Sequence, residues 1–253
     1  MQEIEFGWES DGLQGYVYLS DDESIAVMSI KGTSLLFLGQ GGPTAEKDKL
    51  MDNLMFSCCC AQVDSRWDSV CDCFMGDNTC SNTCLRETMT NGSLSYYTLA
   101  NELLEQAQRM YPNSSFWMTG HSLGGSVASL VAIKNDLAAF VFEAPGELLY
   151  AQRIGLNIDT ENLGKYNVFH YGNLGDPIYL GTCQGRASTC YISGYALETR
   201  CHVGNTCVYD GGYIENVNNH RISVVMDRFI EPNPVPVCGP EVGCTECTSW
   251  NFV

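Results

Sequence analysis

The chain has 253 residues and a formal net charge of −17, from 30 acidic side chains against 13 Lys and Arg. That balance excludes a nucleic-acid partner and gives no electrostatic attraction to anionic membranes at neutral pH, although an acidic compartment would neutralise part of it. With 45% hydrophobic and only 17% charged residues the composition is globular rather than disordered, and the length suits one α/β domain spanning 1–253.

Residues 1–23 are polar and acidic around one β-prone stretch, Gly15-Tyr16-Val17-Tyr18-Leu19. Met1 is followed by Gln2 and Glu3 instead of a basic and then apolar leader, so a processed chain without an amino-terminal anchor is expected. No apolar run is long enough to span a bilayer. Ser24 to Ile30 reads as a buried strand that delivers Lys31-Gly32-Thr33-Ser34 at its end. A glycine and then a hydroxyl residue after a central strand is where an α/β-hydrolase sets half of its oxyanion hole, which nominates Thr33; a plain strand-end turn is the alternative. Leu35 to Leu38, the glycines that follow and a helix from about Ala45 to Phe56 read either as a mobile apolar lid or as ordinary buried structure.

Residues 57–84 show little regular pattern and hold seven cysteines, so a disulfide-stapled surface insertion is expected there. A second group of cysteines is Cys183, Cys190, Cys201 and Cys207, and Cys238, Cys244 and Cys247 lie in a tail over 232–253. The total is 14. Cys244-x-x-Cys247 has zinc-like spacing, but no second such pair accompanies it, and three adjacent cysteines suit disulfides in an oxidising compartment better. Neither a metal nor an organic cofactor is expected. The pairing cannot be read from the spacings. Asn91-Gly92-Ser93 and Asn113-Ser114-Ser115 are glycosylation acceptors, which fits a secretory route.

From Ser93 to Tyr111 the positions Tyr96, Leu99, Leu103, Ala107 and Met110 mark a helix face, and Pro112 stops the helix. Ser115-Phe116-Trp117-Met118-Thr119 is β-prone and runs into Gly120-His121-Ser122-Leu123-Gly124, followed by small and apolar residues at helical spacing. Strand, G-x-S-x-G and helix make a nucleophile elbow, with Ser122 the nucleophile and the Leu123 backbone N–H one oxyanion donor. Ala138 to Phe142 is a further strand and Glu143-Ala144-Pro145-Gly146 a tight turn; a helix is expected over 147–154 and a strand over 167–171. Alternating strands and helices imply a largely parallel sheet with helices outside.

In this architecture the triad runs Ser, acid, His. Asp176 follows a strand and is stiffened by Pro177, whereas Asp159, Glu161 and Asp210 follow no such clear strand. His220 comes after the acid at the head of an expected final helix, and His202 is the second choice for the base. His121 is expected to pack or orient the elbow, and His170 to be a core position in mid-strand.

Gly-His-Ser-Leu-Gly-Gly from Gly120, the Lys31-Gly32-Thr33 strand end and Gly175-Asp176-Pro177 together resemble class 3 lipases of the fungal α/β-hydrolase type. Cys58-Cys59-Cys60, Cys71-Asp72-Cys73, Tyr111-Pro112-Asn113-Ser114, Phe142-Glu143-Ala144-Pro145-Gly146, Gly181-Thr182-Cys183 and Cys244-Thr245-Glu246-Cys247 narrow the resemblance to the fungal autophagy-related vacuolar lipase family. The resemblance implies Ser122, Asp176 and His220 as the triad, with Thr33 and Leu123 as oxyanion donors. It further implies a phospholipase that degrades membranes of autophagic or multivesicular bodies, acting on membrane lipids without an obligate protein partner, in the vacuole lumen or secreted. A soluble feruloyl or triacylglycerol esterase, or a lipase scaffold that binds lipid without turnover, are the rival expectations.

Overall fold

The computed structural model describes residues 1–7, 12–34, 42–64, 67–90 and 95–253. Their elements in chain order begin with β1 (Gln2–Phe6), β2 (Gly15–Leu19), β3 (Ile25–Ile30), α1 (Ala45–Phe56), β4 (Phe74–Gly76), β5 (Thr79–Cys80) and α2 (Asn82–Thr90). Next come α3 (Tyr96–Met110), β6 (Ser115–His121), α4 (Leu123–Asn135), β7 (Ala138–Phe142), α5 (Leu148–Arg153) and β8 (Val168–Asn173). The remainder is α6 (Thr189–Ile192), β9 (Asn205–Tyr209), α7 (Ile222–Val225), β10 (Cys238–Pro240) and β11 (Asn251–Phe252).

Eight strands form one sheet in the order β1-β2-β3-β6-β7-β8-β9-β10. The five from β3 to β9 are parallel, and antiparallel strands close both edges. The α/β-hydrolase fold expected from the sequence is therefore present. Val27 pairs with Trp117, and Gly120 pairs with Val141, which brings the carboxyl ends of β3, β6 and β7 to one edge. In a parallel sheet that edge is where ligand-handling loops gather.

The helix α4 has ten successive buried residues, Leu123 to Ala132. An all-round apolar helix belongs in the middle of a fold, and this one packs on β6, β7 and α3. Ser95 caps α3 by accepting from Thr98 N at 3.3 Å. The buried face of α3 is Tyr96, Ala100, Asn101, Leu104 and Ala107, so the expected Tyr96 and Ala107 are buried, Leu99 and Leu103 are half-buried against the core beside them, and Met110 is exposed. Asn101 is drawn inward because its Oδ1 accepts from Asn135 Nδ2 of α4 at 2.9 Å.

Two further expectations are corrected. Residues 57–84 are stapled by disulfides as expected and most of their described residues after Ala61 are exposed or half-buried, but the segment is not wholly superficial, since Ser57 to Ala61 are buried and Cys59, Cys60, Cys73 and Cys80 join the main core. A bridged cysteine carries no polar thiol and packs as an apolar group. The bridges Cys59–Cys80, Cys60–Cys71 and Cys73–Cys84 are local, whereas Cys58–Cys247 ties the segment to the tail, where β11 pairs with β5. The helix expected after His220 is only the short α7, running into a π-helical turn over Met226–Ile230. Of the lid reading over 35–56, residues 35–41 lie outside the described residues. Its helical part, α1, has eight of twelve residues buried and is ordinary core structure.

Candidate active site

Ser122 stands between β6 and α4 with φ 58° and ψ −133°, a conformation that costs an L residue about 1–3 kcal/mol and is tolerated where surroundings enforce it. Two glycines enforce it. A Cβ on Gly120 would lie 2.4 Å from the Gly124 carbonyl oxygen, and one on Gly124 would lie 2.3 Å from that of Ile30. Ser122 N donates to Phe142 O at 3.0 Å, and the N–H groups of Gly125 and Ser126 donate to Ser122 O, so the backbone of the turn is held from both sides.

Asp176 lies three residues beyond β8 and is fully buried. Ile178 N donates to its Oδ1 at 2.9 Å. His220 ends a 3-10 turn over Val217–His220. Its Nδ1 is 2.6 Å from Asp176 Oδ2, and its Nε2 is 2.7 Å from Ser122 Oγ. With Nδ1 donating to the carboxylate, Nε2 is left as the acceptor that can take the serine proton. Three residues far apart in the chain thus meet in the order nucleophile, base, acid.

His121 does not compete for the base. Its Nε2 donates to the His220 carbonyl at 2.7 Å, and the two rings pack at 4.8 Å. Burial, with the neighbouring His220, pushes its pKa down to about 3, so the ring is a neutral support for the loop that carries His220. His202 lies in a second buried network. Its Nε2 donates to Ala144 O at 3.0 Å and its Nδ1 faces Glu241 Oε1 at 3.4 Å. Burial acts to lower the His202 pKa, but the Glu241 hydrogen bond and charge outweigh it and the net shift is upward. His170 is fully buried in β8, with Nε2 near Val203 O and Glu147 Oε1. Asp159 pairs with Lys165 at 3.0 Å on the surface, and Glu161 and Asp210 are exposed.

The narrow cleft above Ser122 is lined by Thr33, Asp52, Tyr195, Leu197 and His220. Leu123 opens α4, so its backbone N–H is among those an α-helix leaves without an internal partner. The Thr33 hydroxyl is hydrogen-bonded to Asp52 Oδ2 at 2.8 Å. Burial pushes the Asp52 carboxyl well above the usual range, and nearby Asp48 adds to this. The structure thus brings Ser122, His220, Asp176 and Thr33 to one place. A roomier surface hollow elsewhere, lined by Thr182, Glu198, Arg200 and Glu246, contains no nucleophile and base pair.

Sequence reasoning missed Asp52, which lies inside α1 and meets the Thr33 hydroxyl, because nothing in the pattern of that helix sets its carboxyl apart. Cysteine clusters with metal-like proximity are present, but Cys60, Cys71, Cys73, Cys201 and Cys244 are all in disulfides and supply no thiolate.

The profile of the class 3 lipase family matches residues 56–138. The chain is 45% identical over 257 residues to a Vanderwaltozyma polyspora protein named "Putative lipase ATG15", covering 98% of this chain and 45% of that one. A Candida albicans protein of the same name is 43% identical over 262 residues, covering 99% and 44%. The chain spans about half the length of the curated relatives it matches. Among solved structures it is similar to the Lip2 lipase of Yarrowia lipolytica, with 15% identity, a TM-score of 0.36 and coverage of 82% of this chain and 64% of that one. A lipase of Rhizopus microsporus var. chinensis gives 13% identity, a TM-score of 0.39 and coverage of 81% and 61%.

Proposed function

We propose that this chain, which is similar to class 3 lipases and to yeast proteins named "Putative lipase ATG15", is a serine carboxylic-ester hydrolase acting on glycerolipids. The observation that carries the reading is the hydrogen-bonded relay from Ser122 through His220 to Asp176. Ser122 Oγ attacks the acyl carbonyl carbon while His220 Nε2 takes its proton. Asp176 holds the imidazole tautomer and stabilises the imidazolium. The developing oxyanion sits against the Leu123 and Thr33 backbone N–H groups, with the Thr33 hydroxyl held by Asp52. The protonated His220 then gives its proton to the departing alcohol. Water, activated by the same ring, releases the acyl group and restores Ser122.

The finer reading is a phospholipase that dismantles internal membranes delivered to the vacuole lumen along the secretory or multivesicular-body route. Support for the compartment comes from the seven disulfides, which suit an oxidising route, and from the exposed acceptor Asn113. Asn91 lies outside the described residues. Support for a lipid substrate comes from the names of the relatives and from the apolar walls of the cleft at Leu197 and Tyr195.

A fluorophosphonate probe tests the chemistry without a choice of substrate. Covalent labelling at Ser122, absent from S122A and abolished in H220A, is expected. An unlabelled but folded wild-type chain would return the protein to the lipid-binding scaffold reading.

A further inference from the structure

The segment that carries Thr33 is gripped from behind by a buried carboxylate that the triad does not use. Asp48 lies in the first turn of α1 and is 3% exposed. Its Oδ1 accepts from Tyr96 OH of α3 at 2.8 Å. Its Oδ2 accepts from Ser34 N at 2.9 Å, from Thr44 Oγ1 at 2.8 Å and from Lys31 Nζ at 3.3 Å. The Lys31 ammonium donates within the same cluster, with Gly32 O at 3.0 Å, Ser34 Oγ at 2.7 Å and Thr44 Oγ1 at 3.2 Å. Asp48 is thus paired with one cation, and its other partners are neutral donors, which is how a buried carboxylate is kept without an unsatisfied lone pair.

Two of these contacts fall on either side of Thr33. A peptide unit is planar, and none of the described peptide bonds is cis. The Gly32 carbonyl and the Thr33 N–H belong to one such unit and point in opposite directions. By holding the Gly32 oxygen, Lys31 therefore fixes where the Thr33 N–H is aimed. The Ser34 N–H belongs to the next unit, and Asp48 holds that one. Turning either unit breaks one of these contacts. The segment also lies against the elbow, since a Cβ on Gly32 would come 2.4 Å from His121 O and 3.3 Å from Ser122 Cβ. A cation on a peptide oxygen polarises the whole unit, so the N–H at its other end becomes a stronger donor.

We infer that Lys31 and Asp48 are positioning residues that preset the oxyanion hole: Lys31 aims the Thr33 N–H through the Gly32 carbonyl, and Asp48 anchors both Lys31 and Ser34 to α1. This rests on the hydrolase reading, which gives Thr33 its role. Asp52 holds the Thr33 side chain, whereas Lys31 and Asp48 hold its backbone. A donor fixed in this way costs no reorganisation when charge develops on the substrate oxygen.

The test combines one readout that needs turnover with one that does not. Amide exchange in chain labelled with nitrogen-15 serine reads the clamp directly. The Ser34 N–H should be protected in wild type and exchange about tenfold or more faster in D48A. An unprotected Ser34 in wild type overturns the inference, and this arm stands even where D48A fails to fold. The kinetic arm uses K31M, because the Lys31 side chain is 29% exposed and methionine keeps most of its stem. For a soluble short-chain ester, K31M should lower kcat about 10- to 100-fold with KM within about threefold. An alkyl boronic acid should lose affinity by a similar factor. Ser122 Oγ bonds to its boron while His220 takes the hydroxyl proton, and a boron-bound oxygen occupies the hole. A merely structural Lys31 would lower Tm and leave kcat and boronate affinity unchanged, which would overturn the inference, as would a rise in KM with kcat intact. If wild type protects Ser34 but hydrolyses no ester and binds no boronate, the hydrolase reading fails and the catalytic role with it, while the clamp on the segment stands.

Discussion

At the scale of single residues, the site depends on groups that are strained, buried or both. Ser122 keeps its left-handed φ because its neighbours leave no alternative. Asp176 is fully buried, and its Oδ2 faces the imidazole. D176N should keep the fold and lower kcat by about 10³- to 10⁴-fold, since an amide no longer selects the productive tautomer of His220. Kinetics on a soluble ester, with circular dichroism as the fold control, would show it. T33V removes the hydroxyl that meets Asp52 and should lower kcat by about 10²-fold with little change in KM. A rise in KM with kcat intact would place Thr33 in binding instead. Ser122, Asp176 and His220 were legible because elbow spacing and triad order are local and ordered signals. Asp52 and Glu143 were not, because their meaning depends on which strand ends become neighbours. Glu143 reads in one dimension as part of a turn, and only the pairing of β7 with β8 sets its carboxyl against Asn173.

At the scale of elements, the join of β6 to α4 is the most constrained part of the chain. A Cβ at Gly124 meets the backbone of β3 at 2.3 Å, and neither partner is a flexible side-chain end. G124A should therefore cost about 3 kcal/mol or more, or prevent folding, as read from denaturant unfolding. Four of the five parallel strands were legible as short apolar runs followed by a turn, whereas β9, which opens on Asn205 and Thr206, was not. The full buried face of α3 was not legible either, because Asn101 is drawn inward by a hydrogen bond to Asn135 of α4 that an apolar pattern does not report.

A second element-scale device is the His202–Glu241 pair, which joins the segment before β9 to the one after β10. Glu241 is shifted downward overall, the His202 contacts outweighing burial, so its stabilisation is present above its unfolded value near 4.5 and fades as pH falls through the lowered folded value. The raised His202 contributes fully below its unfolded value near 6.5 and fades as pH climbs through the raised folded value. The pair therefore stabilises most between about pH 5 and 6.5. The drop in Tm of wild type from pH 6 to pH 8 should be steeper than that of E241Q. Parallel curves would remove this pair from the pH dependence.

At the scale of the whole molecule, one disulfide ties the two halves of the chain together and two more tie the tail to the body of the second half. Cys58–Cys247 spans 189 residues of sequence, Cys201–Cys244 spans 43 and Cys207–Cys238 spans 31. The cysteine count announced such a framework, but not its pairing, since the partners of Cys58-Cys59-Cys60 are chosen by tertiary packing. The double variant C58S/C247S should lose about 2–5 kcal/mol of stability, measured by unfolding under oxidising conditions. An unchanged midpoint would mean that pairing of β11 with β5 alone secures the tail. The net charge of −17 belongs to this scale too. It opposes approach to anionic membranes at neutral pH and does so less as carboxylates protonate, so lipid turnover is expected to be faster in acid than the soluble-ester rate would suggest.

The most direct measurement is acyl release from phospholipid liposomes at acidic and neutral pH, with S122A alongside and a soluble short-chain ester as control. The account predicts release from liposomes by the wild type, favoured in acid and abolished in S122A although that variant stays folded. Undiminished release by S122A would contradict the central role of Ser122. Hydrolysis of the soluble ester alone would keep the triad and move the substrate from membrane lipid to a dispersed ester.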